Sequence, residues 1–271
     1  MCLHLTEVLK AITIDCKDNG RIFTNQSRIR YISDRLSVSK YSLRKYPDNN
    51  LALIYEHNHF AQNTERSDIV VISTHIDCVY WKLFVEDQGE CFLGTFDNSA
   101  TNAAVLHLMC QGMFNEYVAI AFTGDEEEEE GEGAEEVAKY YAGNNYHVKS
   151  IIVCDLTNAK WRIGEDFTVE NLYEADVSRD YYRRRQLSSI YRTESAFSKA
   201  IFEPLHAFTE KVAYIRRAEP DETDNYSEHG FACFTFCLPC RGDMHSERGV
   251  LIRKKSLEIY AKALASLANS L

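Results

Sequence analysis

The apolar side chains of residues 4–16, HLTEVLKAITIDC, recur at helical spacing, with Leu5, Val8, Leu9 and Ile12 on one side. Residues 25–36, NQSRIRYISDRL, read as a second amphipathic helix. The period then changes. LALIYEH (51–57) and DIVVISTH (68–75) predict strands, and the second is almost wholly apolar and β-branched, as suits a strand covered on both faces of a sheet. VYWKLFVEDQGECFLG (79–94) alternates on either side of Asp-Gln-Gly and predicts a surface hairpin. NSATNAAVLHLMCQGM (98–113) predicts a helix whose small residues allow close packing on a sheet. EYVAIAFTG (116–124) reads as a strand, GAEEVAKYYAG (133–143) as a helix and KSIIVCDLT (149–157) as another buried strand. Residues 158–193 are polar and follow no clear period. ESAFSKAIFEPLHAFTEK (194–211) predicts a helix with Pro204 placed to bend it, GFACFTFCLP (230–239) a strand, and VLIRKKSLEIYAKALASLANSL (250–271) a closing helix. Strands alternating with helices imply a three-layer α/β/α sandwich around a mixed, mostly parallel sheet. Residues 1–271 show no repeat and no Pro/Gly/Ser linker, so one domain is the simplest expectation.

Composition narrows the function classes. Hydrophobic residues make up 45% and charged residues 26%, an ordinary balance for a globular chain of 271 residues. A net charge of −11 argues against a nucleic-acid partner, whose phosphates need a basic surface. The triplet Arg183-Arg184-Arg185 reads as a surface turn. The nine cysteines are irregularly spaced within apolar runs, which suggests free thiols of a reducing compartment. Cys237-Leu-Pro-Cys240 has two-residue spacing but is unrepeated, so a cysteine zinc site is not expected. The first residues are too polar and acidic for a signal peptide, and no apolar run approaches a membrane span. A cytoplasmic protein with no membrane and no nucleic-acid partner is the expectation.

The chemistry collects where the strands end. In an open α/β sheet, ligands bind outside the carboxyl ends of the strands. DIVVIST runs into His75-Ile-Asp77, YVAIAFTG into Asp125-Glu126-Glu127, SIIVC into Asp155, and the last strand toward His245. Asp97-Asn98 stands immediately before the small-residue helix. Each group alone has a plain structural reading: a satisfied histidine, an N-cap, a turn, a solvated acidic run. Together they bring His, Asp, Glu, Asp and His to one sheet edge, where the negative charges would repel one another unless a cation neutralised them. Two imidazoles with several carboxylates suit divalent zinc, and a spare glutamate beside a ligating one supplies the proton shuttle of a hydrolytic site.

The segments STHIDCV, GTFDNSATNAAVLHLM, AFTGDEE, IIVCDLTN and GDMHSERGV, in that order between residues 73 and 250, resemble the dinuclear zinc aminopeptidases of the family containing bacterial aminopeptidase S and the related glutaminyl cyclases. More distantly they are similar to the tetrahedral aminopeptidases and tripeptidase-type zinc exopeptidases. The resemblance implies a zinc-exopeptidase (phosphorylase/hydrolase-like) fold and a pair of divalent metal ions, Zn²⁺ first among them. It also implies roles. His75 and Asp155 would bind one metal, Glu127 and His245 the other, and Asp97 would bridge them. Asp77 would orient His75, and Glu126 would act as general base. The implied reaction is aminopeptidase hydrolysis of short peptides through a metal-bridged water. A glutaminyl cyclase-like acyl transfer and an inactive metal-binding module of the same fold are the alternatives.

The chain also departs from the family. Counted back from the glycines, EEEGEGA would select Glu128 and Glu129 instead of Glu126 and Glu127; the strand anchor favours the latter pair. The hairpin at 79–94 lengthens the interval from His75 to Asp97. No inserted lid or dimerisation domain of the kind some relatives carry is visible, and the oligomeric state stays open. On the substrate side, Glu128 to Glu130 either face water, hold a substrate amine or attract a basic first residue. Arg241 is a candidate for a substrate carboxylate, which would point to short peptides or to a carboxypeptidase, and Tyr226 is a candidate oxyanion donor. His107 and His229 read as structural.

Overall fold

Four of the strands expected from apolar runs lie side by side and parallel at the middle of a mixed sheet. In the computed structural model, residues 4–15, 26–45, 51–59, 68–127, 131–144, 146–175, 195–216 and 218–271 are described. The strands are β1 (Tyr41–Lys45), β2 (Ala52–His57), β3 (Asp68–His75), β4 (Val85–Gln88), β5 (Cys91–Gly94), β6 (Val118–Thr123), β7 (His147–Thr157), β8 (Thr168–Tyr173), β9 (Ala213–Ile215), β10 (Cys233–Gly242) and β11 (Val250–Arg253). The helices are α1 (Leu5–Lys10), which continues as a π turn over Ala11–Asp15, α2 (Gln26–Leu36), α3 (Ser99–Gln111), α4 (Glu132–Gly143), α5 (Ala196–Leu205), α6 (Thr223–Glu228) and α7 (Lys254–Ser270). The sheet order is β1-β2-β6-β3-β7-β10-β11-β5-β4. The run β6-β3-β7-β10 is parallel, and its flanks are antiparallel.

Alternation along the strands divides the core into two layers. Val70 and Ile72 of β3 pack with α1, α2, α3, α5 and α7, whereas Ile69 and Val71 pack with α4 and α6. Both faces are therefore covered, which is why the central strands are apolar throughout. Helix α3 owes its position to its small side chains and to a set of polar stitches. Ala100, Ala103 and Ala104 are fully buried, Asn102 Nδ2 donates to the His75 carbonyl at 2.8 Å, and Asn98 Nδ2 donates to the Cys154 carbonyl at 2.8 Å. These bonds tie the start of the helix to the ends of β3 and β7.

Strand β10 is the hinge of the architecture. Its far edge pairs first with β8, from Cys233 to Cys237, and then with β11, from Cys240 to Gly242. The β10–β11 hairpin thus carries the sheet past the ends of the parallel strands. This revises two sequence expectations. VLIR (250–253) is a strand rather than the start of the closing helix, because Val250 and Ile252 are buried and pair with β5. Part of the ambiguous segment 158–193 is strand β8; residues 176–194, with Arg183-Arg184-Arg185, lie outside the described residues. Strands β1 and β9 and helix α6 had no clear pattern. The seven described cysteines are free thiols. No helix among the described residues is long and apolar enough to cross a membrane.

Helix α4 is pressed onto the exit of β6. A Cβ at Gly133 would lie 2.3 Å from the Gly124 carbonyl oxygen and 2.5 Å from that of Leu51. At Gly143, the far end of the same helix, nothing lies within 4 Å of a Cβ. Gly133→Ala should therefore destabilise the protein by about 1–3 kcal/mol through overpacking, and Gly143→Ala should be neutral or stabilising by under about 1 kcal/mol. Chemical denaturation of the two variants checks the contrast.

Candidate metal centre

Parallel strands end together, so the residues that follow β3, β6 and β7 meet at one rim. His75 closes β3, Asp155 lies near the end of β7, and Glu126 and Glu127 follow β6 after Asp125, whose φ of +67° turns the chain into the left-handed region. Aspartate tolerates that conformation better than most side chains. Asp97 arrives just ahead of α3, and His245 on the β10–β11 hairpin.

The seven side chains expected at a metal centre are together. His75 Nε2 lies 3.4 Å from Asp97 Oδ1, 3.5 Å from Asp155 Oδ1 and 3.8 Å from Glu126 Oε2. Its Nδ1 lies 3.2 Å from Asp77 Oδ1. Asp77 uses its other oxygen to accept the backbone N–H of Glu127 at 3.1 Å, so one buried carboxylate braces a candidate ligand at the end of each of two strands. On the other side, His245 Nε2 lies 3.4 Å from Glu127 Oε2 and 3.7 Å from Asp97 Oδ2. The two oxygens of Asp97 thus face different imidazoles. The ligand atoms group as His75, Asp97 and Asp155, as Asp97, Glu127 and His245, and as His75, Glu126 and Glu127, each set within 4.8 Å.

The donor set fits a cation. Asp97 Oδ1 and Glu127 Oε1 are buried and have no hydrogen-bond partner. An unsatisfied carboxylate oxygen is costly to bury, and a dication removes that cost. The electrostatics of these groups point the same way. Burial, reinforced by Asp155, Asp97 and Glu222 against the opposing pull of His75, pushes the Glu126 carboxyl up to about 8. Burial and the neighbouring Asp97 push Glu127 up to about 9. Burial also raises Asp155. For His75, burial favours the neutral ring, but the carboxylates around it, Glu126 first and then Asp155, Asp77 and Asp97, outweigh burial and raise its pKa well above the usual value. Acids that resist ionising beside an imidazole that resists losing its proton describe a site lacking positive charge.

Around this rim lies a cleft of about 880 Å³, in the size range of small-ligand sites. Besides the metal-type ligands it is lined by Glu170 of β8 and by Glu219, Asp221, Glu222 and Asp224 ahead of and within α6; no lysine or arginine lines it among the described residues. Burial raises Glu222 to about 7. Sequence pattern does not single out Glu170, Glu219, Asp221 or Glu222. Glu170 lies in the aperiodic segment, and Pro220-Asp221-Glu222 ahead of α6 has no spacing that assigns it to a site. Two substrate-side expectations are corrected. Tyr226 is fully buried and bonds Ser73 Oγ at 2.8 Å, so its hydroxyl is engaged beneath the site rather than aimed into the cleft. Arg241 is exposed and does not line the cleft, because the end of β10 carries it outward. Glu128, Glu129 and Glu130 lie outside the described residues. His229 pairs with Glu135 at 2.7 Å.

No protein-family sequence model and no curated protein sequence matches this chain. Its structure is similar to several solved ones. TET1 peptidase of Pyrococcus horikoshii superposes with a TM-score of 0.67 at 12% identity, over 99% of this chain and 100% of that one. Aminopeptidase PepT of Bacillus cereus ATCC 10987 gives 0.69 at 8% identity, over 98% and 97% of the two chains. The YXEP protein of Bacillus subtilis, described as a dinuclear metal binding peptidase from the M20 family, gives 0.65 at 11% identity, over 97% and 96%. The chain therefore has the α/β fold of the zinc-exopeptidase type, with a candidate metal-ligand cluster at the carboxyl ends of its parallel strands.

Proposed function

We propose that the protein is a metal-dependent exopeptidase, an aminopeptidase that hydrolyses short peptides with two divalent ions, Zn²⁺ first among them. The observation that carries this reading is Asp97, whose two oxygens face His75 and His245 separately at 3.4 and 3.7 Å. A carboxylate placed so is suited to bridge two ions. His75 and Asp155 would complete one coordination set, Glu127 and His245 the other. Asp77 accepts the Nδ1 proton of His75 and so leaves Nε2 free to ligate. Bound ions of this kind supply Lewis acidity and lower the pKa of a coordinated water toward about 7. Glu126, beside the first set, takes the proton from the attacking water and delivers it to the departing amine. The acidic cleft suits a free α-ammonium group, and the peptidase neighbours support peptides as substrates.

Metal analysis should find about two equivalents of Zn²⁺ or a comparable dication per chain. In the chelated protein, Glu126 and Glu127 have folded pKa values of about 8 and 9, above the ordinary 4.5. The folded state then holds protons that the unfolded chain releases, so stability falls as pH rises. This contribution is intact below the unfolded carboxyl pKa and is lost by about pH 9. Added dication opposes the loss. The rise in melting temperature on adding zinc should therefore be larger at pH 8.5 than at pH 6, which thermal melts with and without chelator will measure.

Glu126→Gln should lower turnover by about 10²–10⁴-fold while both ions stay bound. Full activity in that variant would remove Glu126 from the mechanism. A panel of unblocked and N-acetylated peptides, assayed with and without chelator, tests the reaction class: cleavage confined to unblocked peptides and abolished by chelation is expected, and cleavage of blocked peptides would overturn the aminopeptidase reading.

A further inference from the structure

His245 differs from the other expected ligands in how it is held. His75 and Asp97 are buried, whereas the His245 side chain is 63% exposed and stands on residues 243–249, between β10 and β11. An exposed side chain on a hairpin has many rotamers and a mobile base unless something fixes the loop. Turn bonds from Ser246 N to the Asp243 carbonyl and from Gly249 N to the Ser246 carbonyl shape it internally. They do not orient it toward Asp97.

The orientation comes from residues 80–82, which lie beyond β3. The Tyr80 hydroxyl donates to the Met244 carbonyl, one residue before His245. Glu247, two residues after His245, accepts the backbone N–H of Trp81 at 2.8 Å and that of Lys82 at 3.1 Å, one on each carboxylate oxygen. The loop is thus clamped on both sides of the histidine. Tyr80 is itself buried, and Asp97 and Glu127 lie close enough to help burial raise its pKa. At the start of the same segment, Asp77 accepts the backbone N–H of Glu127. Residues 77–82 therefore hold both the loop of His245 and the backbone of Glu127, the two residues that would complete the second position with Asp97.

The geometry points to Tyr80 and Glu247 as positioning residues that set the affinity of the second metal position, acting through the backbone of the His245 loop and touching neither ion nor substrate. This rests on the dinuclear reading above. The first position, built from His75, Asp97 and Asp155, takes no bond from Glu247, whereas the Tyr80 hydroxyl also meets the backbone of Asp97, so Glu247 is the arm of the clamp that acts on the second position alone. Partners of metal ligands typically account for about 10–100-fold in metal affinity, and the same range is expected here for the second ion alone.

The test is a titration of the metal-free 271-residue chain with Zn²⁺, followed by calorimetry and by equilibrium dialysis with elemental analysis. Glu247→Gln keeps the shape of an exposed side chain but removes its charge and one of its two acceptors. Tyr80→Phe keeps the buried ring and deletes only the donor. Wild type should take up two equivalents. Glu247→Gln should keep the first with unchanged affinity, bind the second about 10–100-fold more weakly, and recover kcat at high dication concentration; Tyr80→Phe should weaken the second more than the first, because its hydroxyl also meets the Asp97 backbone. Melting of the metal-free variants separates this from general damage: both equivalents weakened together with a lowered metal-free melting temperature would overturn the proposal. So would two equivalents bound with wild-type affinity by both variants. If wild type itself takes up fewer than two ions, the dinuclear reading fails first and the proposal with it. Should one variant not fold, the other decides alone.

Discussion

Carboxylates forced close together in a poorly solvated place require a counter-charge, and most features of this molecule follow from that requirement. Asp97, Glu126, Glu127 and Asp155 approach one imidazole or the other within 3.4 to 3.8 Å. Water cannot screen them fully, because Asp97 and Glu127 carry oxygens with neither solvent nor a donor. Protons are a partial remedy, visible in the raised Glu126 and Glu127 carboxyls. Divalent ions are the more complete one, since each offsets two charges and satisfies several lone pairs together.

The fold supplies the crowding. Parallel strands β6, β3 and β7 release their chains on the same side, and α3 is stitched to the ends of β3 and β7 by Asn98 and Asn102. Asp97 is thereby delivered to the point between the two histidines. Fully buried Arg28 of α2 donates to the carbonyl of Ile76, the residue between His75 and Asp77. Gly133 admits α4 against the backbone of Gly124, fixing where the acidic run leaves the sheet. The site is thus held mainly by backbone and polar side chains drawn from several elements, which is the rigidity that a metal site needs. The exception is the His245 hairpin, held by Tyr80 and Glu247 from a neighbouring loop.

The rest of the cleft lining is also acidic, but its acids are differently used. Asp221 accepts from Thr223, Asn171 and Thr235, and Asp224 accepts from Tyr173 at 2.6 Å. Neutral donors thus hold those two carboxylates in place. The cleft keeps its negative character, which favours a cationic ligand group over an anionic one. A free amino terminus meets that condition, whereas a substrate carboxylate would find no described lysine or arginine lining the cleft.

Local pattern in the sequence carried much of this. The apolar, β-branched runs 68–75, 116–124 and 149–157 mark buried strands because side chains covered on both faces must be apolar. The polar residues that end those runs, His75, Glu126 and Asp155, are legible for the same reason: charge at the end of a buried strand needs a partner. Small residues from Ser99 onward announce a helix packed close to the sheet. What the sequence could not carry is anything set by pairing between distant segments. VLIR is a strand because β5 and the end of β10 offer it hydrogen bonds, although its residues also suit the helix that follows. Glu170 and Glu222 reach the cleft because β8 adds antiparallel to β10 and α6 folds under β3, and neither event leaves a local signature. Tyr226 and Arg241 have side chains suited to substrate contact, and only the tertiary structure decides that one is buried against Ser73 and the other faces solvent. Residue type and period are properties of short stretches, so the chain states them directly; direction, register and contact across the sheet arise only when it folds.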